Sequence, residues 1–171
     1  MFCKREDWTK LQVFGIMTLV CLLTLTQIAT AKRVSGWGDD LPSVWAEVEV
    51  WCLQYHSPQG IPVTTSCHWF QLCNYHDFTV GYDYEFQHEV FDLATNEKMG
   101  EDKQLGQGRR EVGEQSAFNG AVQGLDVSNY SRGRGYKLHA YTRLNVRREN
   151  LGGQNDSWEV HDEIEFFHPK L

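Results

Sequence analysis

Four segments of the chain alternate between apolar and polar side chains, which is typical of half-buried β-strands. In residues 78–90, FTVGYDYEFQHEV, the even positions are aromatic or aliphatic except His88, and the odd positions are polar or glycine. Residues 44–55, 136–147 and 157–167 alternate similarly. Because successive side chains of a strand point to opposite faces, each segment has one face suited to a core. The first segment exceeds the usual strand length of ~3–10 residues, so we expect a bend at Gly81.

The rest of the chain adds shorter or irregular segments. Residues 66–74 are apolar without alternation and predict a strand covered on both faces, and residues 121–127 predict a short strand. Residues 32–43 are interpreted as an irregular leader. Residues 94–120, rich in glycine and charge, have no sustained period and predict a long central loop or a short exposed hairpin. No helical period follows residue 31, so we predict one all-β domain over residues 44–171, an antiparallel β-sandwich.

Charge on the last two predicted strands indicates how they pair. The outward positions of residues 136–147 are mostly basic, and those of residues 157–167 are mostly acidic. Opposite charges on neighbouring strands are favourable, so we predict a hairpin. Asp162 and His88 lie on otherwise apolar faces, and we expect them to bond to each other or to backbone groups.

The stretch 135–146, followed by a final strand, is similar in layout to immunoglobulin-like and fibronectin type III domains. That resemblance implies a two-sheet sandwich. The chain departs from it in lacking the Cys…Trp…Cys spacing of antibody-type domains and in carrying the segment 94–120. A similarity of fold does not transfer function.

The N-terminus has the order of a secretory signal peptide. Basic residues precede an apolar run at residues 11–25, and Ala29-Thr30-Ala31 forms a small-x-small cleavage site. We predict cleavage before Lys32 and secretion. The run is shorter than the ~20 apolar residues of a membrane span. If the segment stays uncleaved, it would act as a signal anchor and hold the protein on a membrane.

Secretion also fits the charge and the acceptor sequons. Removing the three basic and two acidic residues of 1–31 from the 16 and 23 of the chain leaves 13 and 21, a net charge of −8. An acidic secreted domain is a poor partner for nucleic acid or anionic lipid. Two sequons predict N-glycosylation, at Asn129 and at Asn155.

Three cysteines remain after residue 31. A turn signal at residues 57–60 predicts a hairpin that places Cys52 opposite Cys67, and we predict that they form a disulfide. A Cys52–Cys73 bond is the alternative. Cys67 and Cys73 on one extended strand would be ~20 Å apart and could not bond. Cys73 is then a free thiol, or links two chains into a homodimer.

The candidate chemistry favours binding over catalysis. The histidines and cysteines between residues 56 and 76 lack the tight pairs of zinc sites, so we predict no metal and no cofactor. No serine has the G-x-S-x-G context of hydrolases. The stripe of Glu159, His161, Glu163 and Glu165 is interpreted as a solvated sheet face, and we expect no enzyme.

We therefore expect a secreted glycoprotein that binds an extracellular protein partner. The candidate binding residues are Trp45, Glu47, Glu49, Trp51 and Tyr55 on the outward face of the first predicted strand, with Arg109 and Arg110 in the predicted loop. Tryptophan and tyrosine are enriched in protein interfaces. Two alternatives stay open. Exposed Trp45, Trp51 and Tyr55 could stack on a glycan, or a cavity lined by residues 78–90 could carry a small hydrophobic ligand.

Overall fold

Among the residues that the structure describes, eight strands form two antiparallel sheets that pack face to face, so the predicted all-β sandwich is confirmed. The computed structural model describes residues 31–56, 62–75, 77–111, 117–126, 130–149 and 153–168, without the side chains of residues 56 and 62. The strands are β1 (Lys32–Trp37), β2 (Val44–His56), β3 (Pro62–Asn74), β4 (Val80–Asp92), β5 (Lys98–Arg110), β6 (Ala117–Gly124), β7 (Arg134–Arg148) and β8 (Asn155–His168). Within these ranges no helix is long and apolar enough to cross a membrane.

The strand order differs from that of an immunoglobulin domain. The first sheet has the order β1-β2-β3-β6 and the second β5-β4-β7-β8. In immunoglobulin-type sandwiches the second and third strands lie in opposite sheets. Here β2 and β3 are antiparallel neighbours in one sheet. The sandwich is therefore as predicted, while the immunoglobulin-like layout is not followed.

The core lies between the even-numbered faces of β2, β4, β7 and β8 and the inner face of β3. Every inward residue predicted for the strand 136–147 is fully buried, from Tyr136 to Val146. Phe70 of β3 is at the centre, with its ring centroid 5.1 Å from that of Tyr84 and 6.2 Å from that of Phe86. Alternation thus identified the core faces of these strands correctly. The irregularity of β4 lies between Val90 and Phe91 rather than at Gly81.

The predicted leader contains a strand. Residues 32–37 pair with β2 as β1, and Trp37 lies beside Trp45. The turn that follows is anchored from the opposite sheet, because the Asp156 carboxylate accepts backbone N–H groups from Asp39, Asp40 and Leu41 at 2.8–3.1 Å. The prediction of an irregular segment was wrong for residues 32–37, since pairing with β2 orders a stretch that has little pattern of its own.

The predicted long loop is mostly a strand. Asp92 accepts N–H groups from Ala94 and Thr95, Asn96 adopts a left-handed φ of 55°, and β5 then pairs with β4 along its length. β5 is exposed at most of its positions, which explains its lack of a hydrophobic period. Residues 112–116 of the predicted loop lie outside the described residues.

Glycines let β5 approach the tyrosines of β4. A Cβ at Gly106 would lie 2.2 Å from Cζ of Tyr84, and one at Gly108 would lie 2.4 Å from Oη of Tyr82. The Tyr rings therefore occupy the space above the glycine backbone. These glycines serve packing between neighbouring strands.

The register of β2 and β3 contradicts the predicted disulfide. Cys52 lies opposite Ser66, and Cys67 lies opposite Trp51. This is one residue from the predicted register, and such a shift moves a side chain to the other face of a sheet. Cys52 joins the core, whereas Cys67 lies on the outer side; both are buried and they are not bonded to each other. Burial and the nearby Asp162 raise the pKa of the Cys52 thiol.

The remaining cysteine predictions change accordingly. A Cys52–Cys73 bond is excluded because Cys52 is free. Cys73 is fully buried on β3, and the prediction that it is a free thiol or links two chains stays a prediction.

The two polar residues on apolar faces do not bond to each other. The Asp162 carboxylate accepts a hydrogen bond from the backbone N–H of Cys52 at 2.8 Å, across the sandwich. This confirms, for Asp162, the expected bond to a backbone group. His88 Nδ1 lies 3.1 Å from the hydroxyl of Ser66, which lies 2.9 Å from Nε2 of His68. Burial lowers the pKa of His68 to about 4, and the neighbouring His88 contributes to this shift. Burial also lowers the pKa of His88.

Candidate functional site

The two sheets present outer faces of opposite character. We call the outer face of the first sheet the aromatic face, and its large apolar residues are Trp37, Trp45, Trp51, Leu53, Tyr55, Trp69, Phe118 and Val122. We call the outer face of the second sheet the ionic face, and its central residues are Asp83, Glu85, Gln87, Glu89, His139, Tyr141, Arg143, Glu159, His161 and Glu163.

Three side chains of the aromatic face are clearly exposed. Trp37 of β1 is 58% exposed, and Phe118 and Val122 of β6 are 52% and 68% exposed. Since neighbouring strands lie ~4.8 Å apart, β1 and β6 are separated by about 14 Å across the sheet. The exposed apolar groups thus line both margins of one surface, with the half-buried rings of Trp45 and Trp69 between them.

The predicted binding residues of β2 all lie on this face but are largely covered. Trp51 is 9% exposed, and Glu47 is also buried. Trp45, Glu49 and Tyr55 are half-buried. Arg33 of β1 is paired with both carboxylates, with Nε 3.3 Å from Glu47 and Nη2 2.5 Å from Glu49.

Arg109 and Arg110 belong to a different part of the molecule. They end β5, the edge strand of the second sheet, and are therefore separated from the aromatic face. Arg109 is paired with Glu111 and, at 3.9 Å, with Glu149. The structure does not unite these two arginines with the binding residues of β2 into one site.

The ionic face is a network of cross-strand pairs, as the charge pattern of the last two strands predicted. Arg143 is paired with Glu159 on β8 and lies 3.6 Å from Glu85 on β4. Burial opposes ionisation of Glu85, but hydrogen bonds from Lys103 and Tyr141 outweigh it and hold the pKa of Glu85 below its ordinary value. This network satisfies its charges within the sheet.

Two histidines lie at the centre of the ionic face. His139 Nε2 is 3.1 Å from His161 Nδ1, and the rings are nearly parallel at 11°. Nε2 of His161 lies 2.6 Å from Glu159, and Nδ1 of His139 lies 3.7 Å from Glu89. Our interpretation of the Glu159–Glu165 stripe as a solvated face did not include this contact. The signal available was the pairing of β7 with β8, which brings positions 139 and 161 together.

The remaining predicted sites are only partly within the described residues. Asn155 begins β8 and is exposed, which gives an attached glycan room. Asn129 and the predicted signal peptide through residue 30 lie outside the described residues. Within the described part of the chain, no group of three or more His, Cys, Asp or Glu side chains could hold a metal ion.

Comparison with known proteins does not identify a family. No protein-family model and no curated protein matches the chain. A Northeast Structural Genomics Consortium target, SoR45, matches with a TM-score of 0.38 and 12% identity over 75% of this chain and 89% of its own. A protein from Archaeoglobus fulgidus matches with a TM-score of 0.35 and 11% identity, over 83% and 98%.

Proposed function

We propose that the chain is a secreted, glycosylated, non-enzymatic domain that binds an extracellular protein through its aromatic face. The observation that carries this proposal is the exposure of Trp37, Phe118 and Val122 on one sheet face. Exposed apolar groups collected on one surface are typical of protein interaction sites. Tryptophan is enriched among the residues that contribute most to protein–protein binding energy.

A protein partner fits this face better than a glycan does. Stacking on a sugar would require Trp45, Trp51 and Tyr55 to be accessible together, but Trp51 is buried and the other two are half-buried. The exposed groups are instead separated across the sheet, which suits a broad partner surface.

The interior gives little support to the carrier alternative. The core-facing aromatic residues of β4, which would line a cavity, contact Phe70 and His68 of the opposite sheet. The distances between ring centroids are 5.1–6.2 Å. A bound lipid would have to displace these contacts.

Matched variants test the binding proposal. The tagged chain is used to capture its partner from the fluid or cell surface that it is secreted to, beside Trp37→Ser/Phe118→Ser and a control, Leu105→Ser. Leu105 is 65% exposed but lies on the second sheet. We expect one partner that the control retains and the double variant loses. Equal capture by all three proteins would contradict the proposal.

Secretion and glycosylation have their own test. N-terminal sequencing of the protein recovered from culture medium should begin at Lys32, and Asn155→Gln should lower its mass by one glycan. Retention of the full chain in cells would favour the uncleaved anchor instead.

A further inference from the structure

The backbone of β6 is open along one side. Among the described strands, its neighbour in the sheet is β3. Residue pairs of an antiparallel ladder are alternately hydrogen-bonded, and the bond from the Leu125 N–H to the Thr64 carbonyl shows that the odd-numbered residues bond to β3. The N–H and C=O groups of the even-numbered residues therefore point away from β3. The N–H of Gly120 agrees with this, since it donates to the Asn119 side chain at 2.8 Å.

β6 also lacks the features that protect the other edges of the sandwich. Native proteins commonly guard edge strands with charged side chains or proline. The edge strands β1, β5 and β8 each carry at least two charged residues. β6, AFNGAVQG, has neither a charge nor a proline, and its eight residues exceed the average strand length of about 5–6. This edge is therefore suited to pairing with another strand.

The second sheet extends past β6 and leaves room for one more strand opposite it. The side chains of Asn119 and Gln123 bond to Tyr84 and to the backbone of β4, so β6 lies over β4. β5 is the next strand of the second sheet, and among the described strands it packs chiefly against β4. Its inward residues Asp102 and Gln104 are exposed. A strand added beside β6 would therefore lie opposite β5.

The floor of this space is aromatic. The rings of Tyr82 and Tyr84 lie over the backbone of Gly108 and Gly106 of β5, and both tyrosines are half-buried. An added strand would meet these rings on its inner side and the exposed apolar groups of β6 on its outer side. Such surroundings suit uncharged side chains with a high preference for strands, such as valine and threonine.

We propose that the partner supplies an extended, uncharged segment that pairs with the β6 edge as a fifth strand of the first sheet. Strand addition takes its affinity from backbone hydrogen bonds and its specificity from alternate side chains. The alternate side chains contact Phe118 and Val122 on the outer side and Tyr82 and Tyr84 on the inner side. This inference rests on the proposed function, because it specifies how the partner is held at one margin of the aromatic face.

An acetylated and amidated octapeptide of alternating valine and threonine, with a lysine added at each end, is the probe. Titration followed by amide NMR should show saturable one-to-one binding below about 1 mM peptide. The amides of Phe118, Gly120 and Val122 should then exchange more slowly with solvent. The odd-numbered amides of β6 should change little, because β3 already protects them.

Matched proline variants test the backbone pairing. Val122→Pro removes an N–H that points away from β3 and should weaken peptide binding at least tenfold. The control is Ser35→Pro, because the ladder of β1 and β2 leaves the Ser35 N–H facing outward at the opposite edge of the same sheet. It should bind the peptide as the wild type does. Circular dichroism checks that both variants are folded.

N-methylated peptides test the same pairing on the unchanged protein. Methyl groups on all valine nitrogens, or on all threonine nitrogens, block one side of the peptide backbone each. One of these two peptides should lose binding and the other should keep it. Equal affinities of the two, or no binding of the parent peptide at about 1 mM, would overturn the inference.

Partner capture separates this inference from the proposed function. Loss of the partner by Trp37→Ser/Phe118→Ser but not by Val122→Pro would overturn strand addition and leave the proposed function standing. Peptide binding at β6 together with equal partner capture by the double variant would support the strand site and contradict the proposed function.

Discussion

The aromatic face and the ionic face are built on similar strands but end in opposite states. On the ionic face many charges meet an opposite charge on the next strand, as Arg143 meets Glu159 and Glu85. On the aromatic face the carboxylates Glu47 and Glu49 share one arginine, and apolar rings surround them. The second sheet thus pairs much of its outer charge internally, with exposed Leu105 and Phe167 at its margins, while the first carries aromatic rings across its whole outer face, with Trp37, Phe118 and Val122 exposed at its margins.

That difference is the basis for proposing the aromatic face, rather than the ionic face, as a binding surface. Pairing between neighbouring strands is enough to explain why the residues of the ionic face are charged, because the solvated outer face of a sheet requires no further partner. Exposed apolar groups such as Trp37, Phe118 and Val122 gain nothing from water, and on the aromatic face, unlike around Leu105 and Phe167 of the second sheet, half-buried tryptophan rings lie between them. Our proposal of a protein partner therefore rests on the apolar groups of the aromatic face and not on the charges of the ionic face.

The largest effect on stability is expected in the core between the two faces, where Ser66, His68 and His88 form a buried series of hydrogen bonds. The folded state keeps His68 neutral, while the unfolded chain takes up a proton below pH 6.5. The contribution of His68 to the free energy of unfolding is thus fully present above pH 6.5. It is lost as the pH falls toward about 4, the pKa of His68 in the folded state. The full loss from His68 is about 3 kcal/mol.

Chemical unfolding at a series of pH values between about 7.5 and 5 measures about 2 kcal/mol of this loss, above the range in which most carboxylates titrate. His68→Gln should flatten the dependence, and His168→Gln should leave it unchanged. Equal stability of the wild type at both ends of that range would contradict the prediction.

The next largest effect on stability compares Gly106 of the second sheet, which packs against Tyr84, with Gly124 of the first sheet, which has open space beside it. Gly106→Ala places a Cβ 2.2 Å from the Tyr84 ring and should cost about 1–3 kcal/mol. Gly124→Ala has nothing within 4 Å and should be neutral or slightly stabilising. Denaturant midpoints distinguish them, and equal midpoints would show that Tyr84 moves aside without cost.

One arginine on each face provides a smaller test. Arg143→Met should cost about 1 kcal/mol, and about 1 M NaCl should reduce that cost because the pair is partly solvated. Arg33→Met should respond less to salt, since Glu47 and Glu49 are more buried than Glu159. Unfolding at low and high salt measures both, and the reverse order of salt sensitivity would contradict our account of the faces.

The smallest effect on stability belongs to the proposed binding residues. Trp37→Ser should change the free energy of unfolding by less than about 0.5 kcal/mol, as is usual for an exposed position. Leu105→Ser on the second sheet should behave alike. Thermal unfolding measures both. A loss of several kcal/mol for Trp37 alone would mean that its contact with Tyr75, 5.6 Å between ring centroids, is structural.

The sequence by itself determined the class of fold and the inward faces of β2, β4, β7 and β8. Alternation is a local property with a period of two residues, so it can be recognised without knowing the neighbouring strands. The pairing of β7 with β8 could also be predicted, because their outer charges are complementary. The candidate residues of β2 were correctly assigned to one face for the same reason.

The tertiary structure decided what depends on neighbours. A one-residue change of register separated Cys52 from Cys67, and pairing alone ordered β1 and β5, whose sequences have no usable period. It also brought Trp37 and Phe118 to the margins of one face and placed His139 beside His161. Register and strand order arise from contacts between distant parts of the chain, which no local pattern encodes.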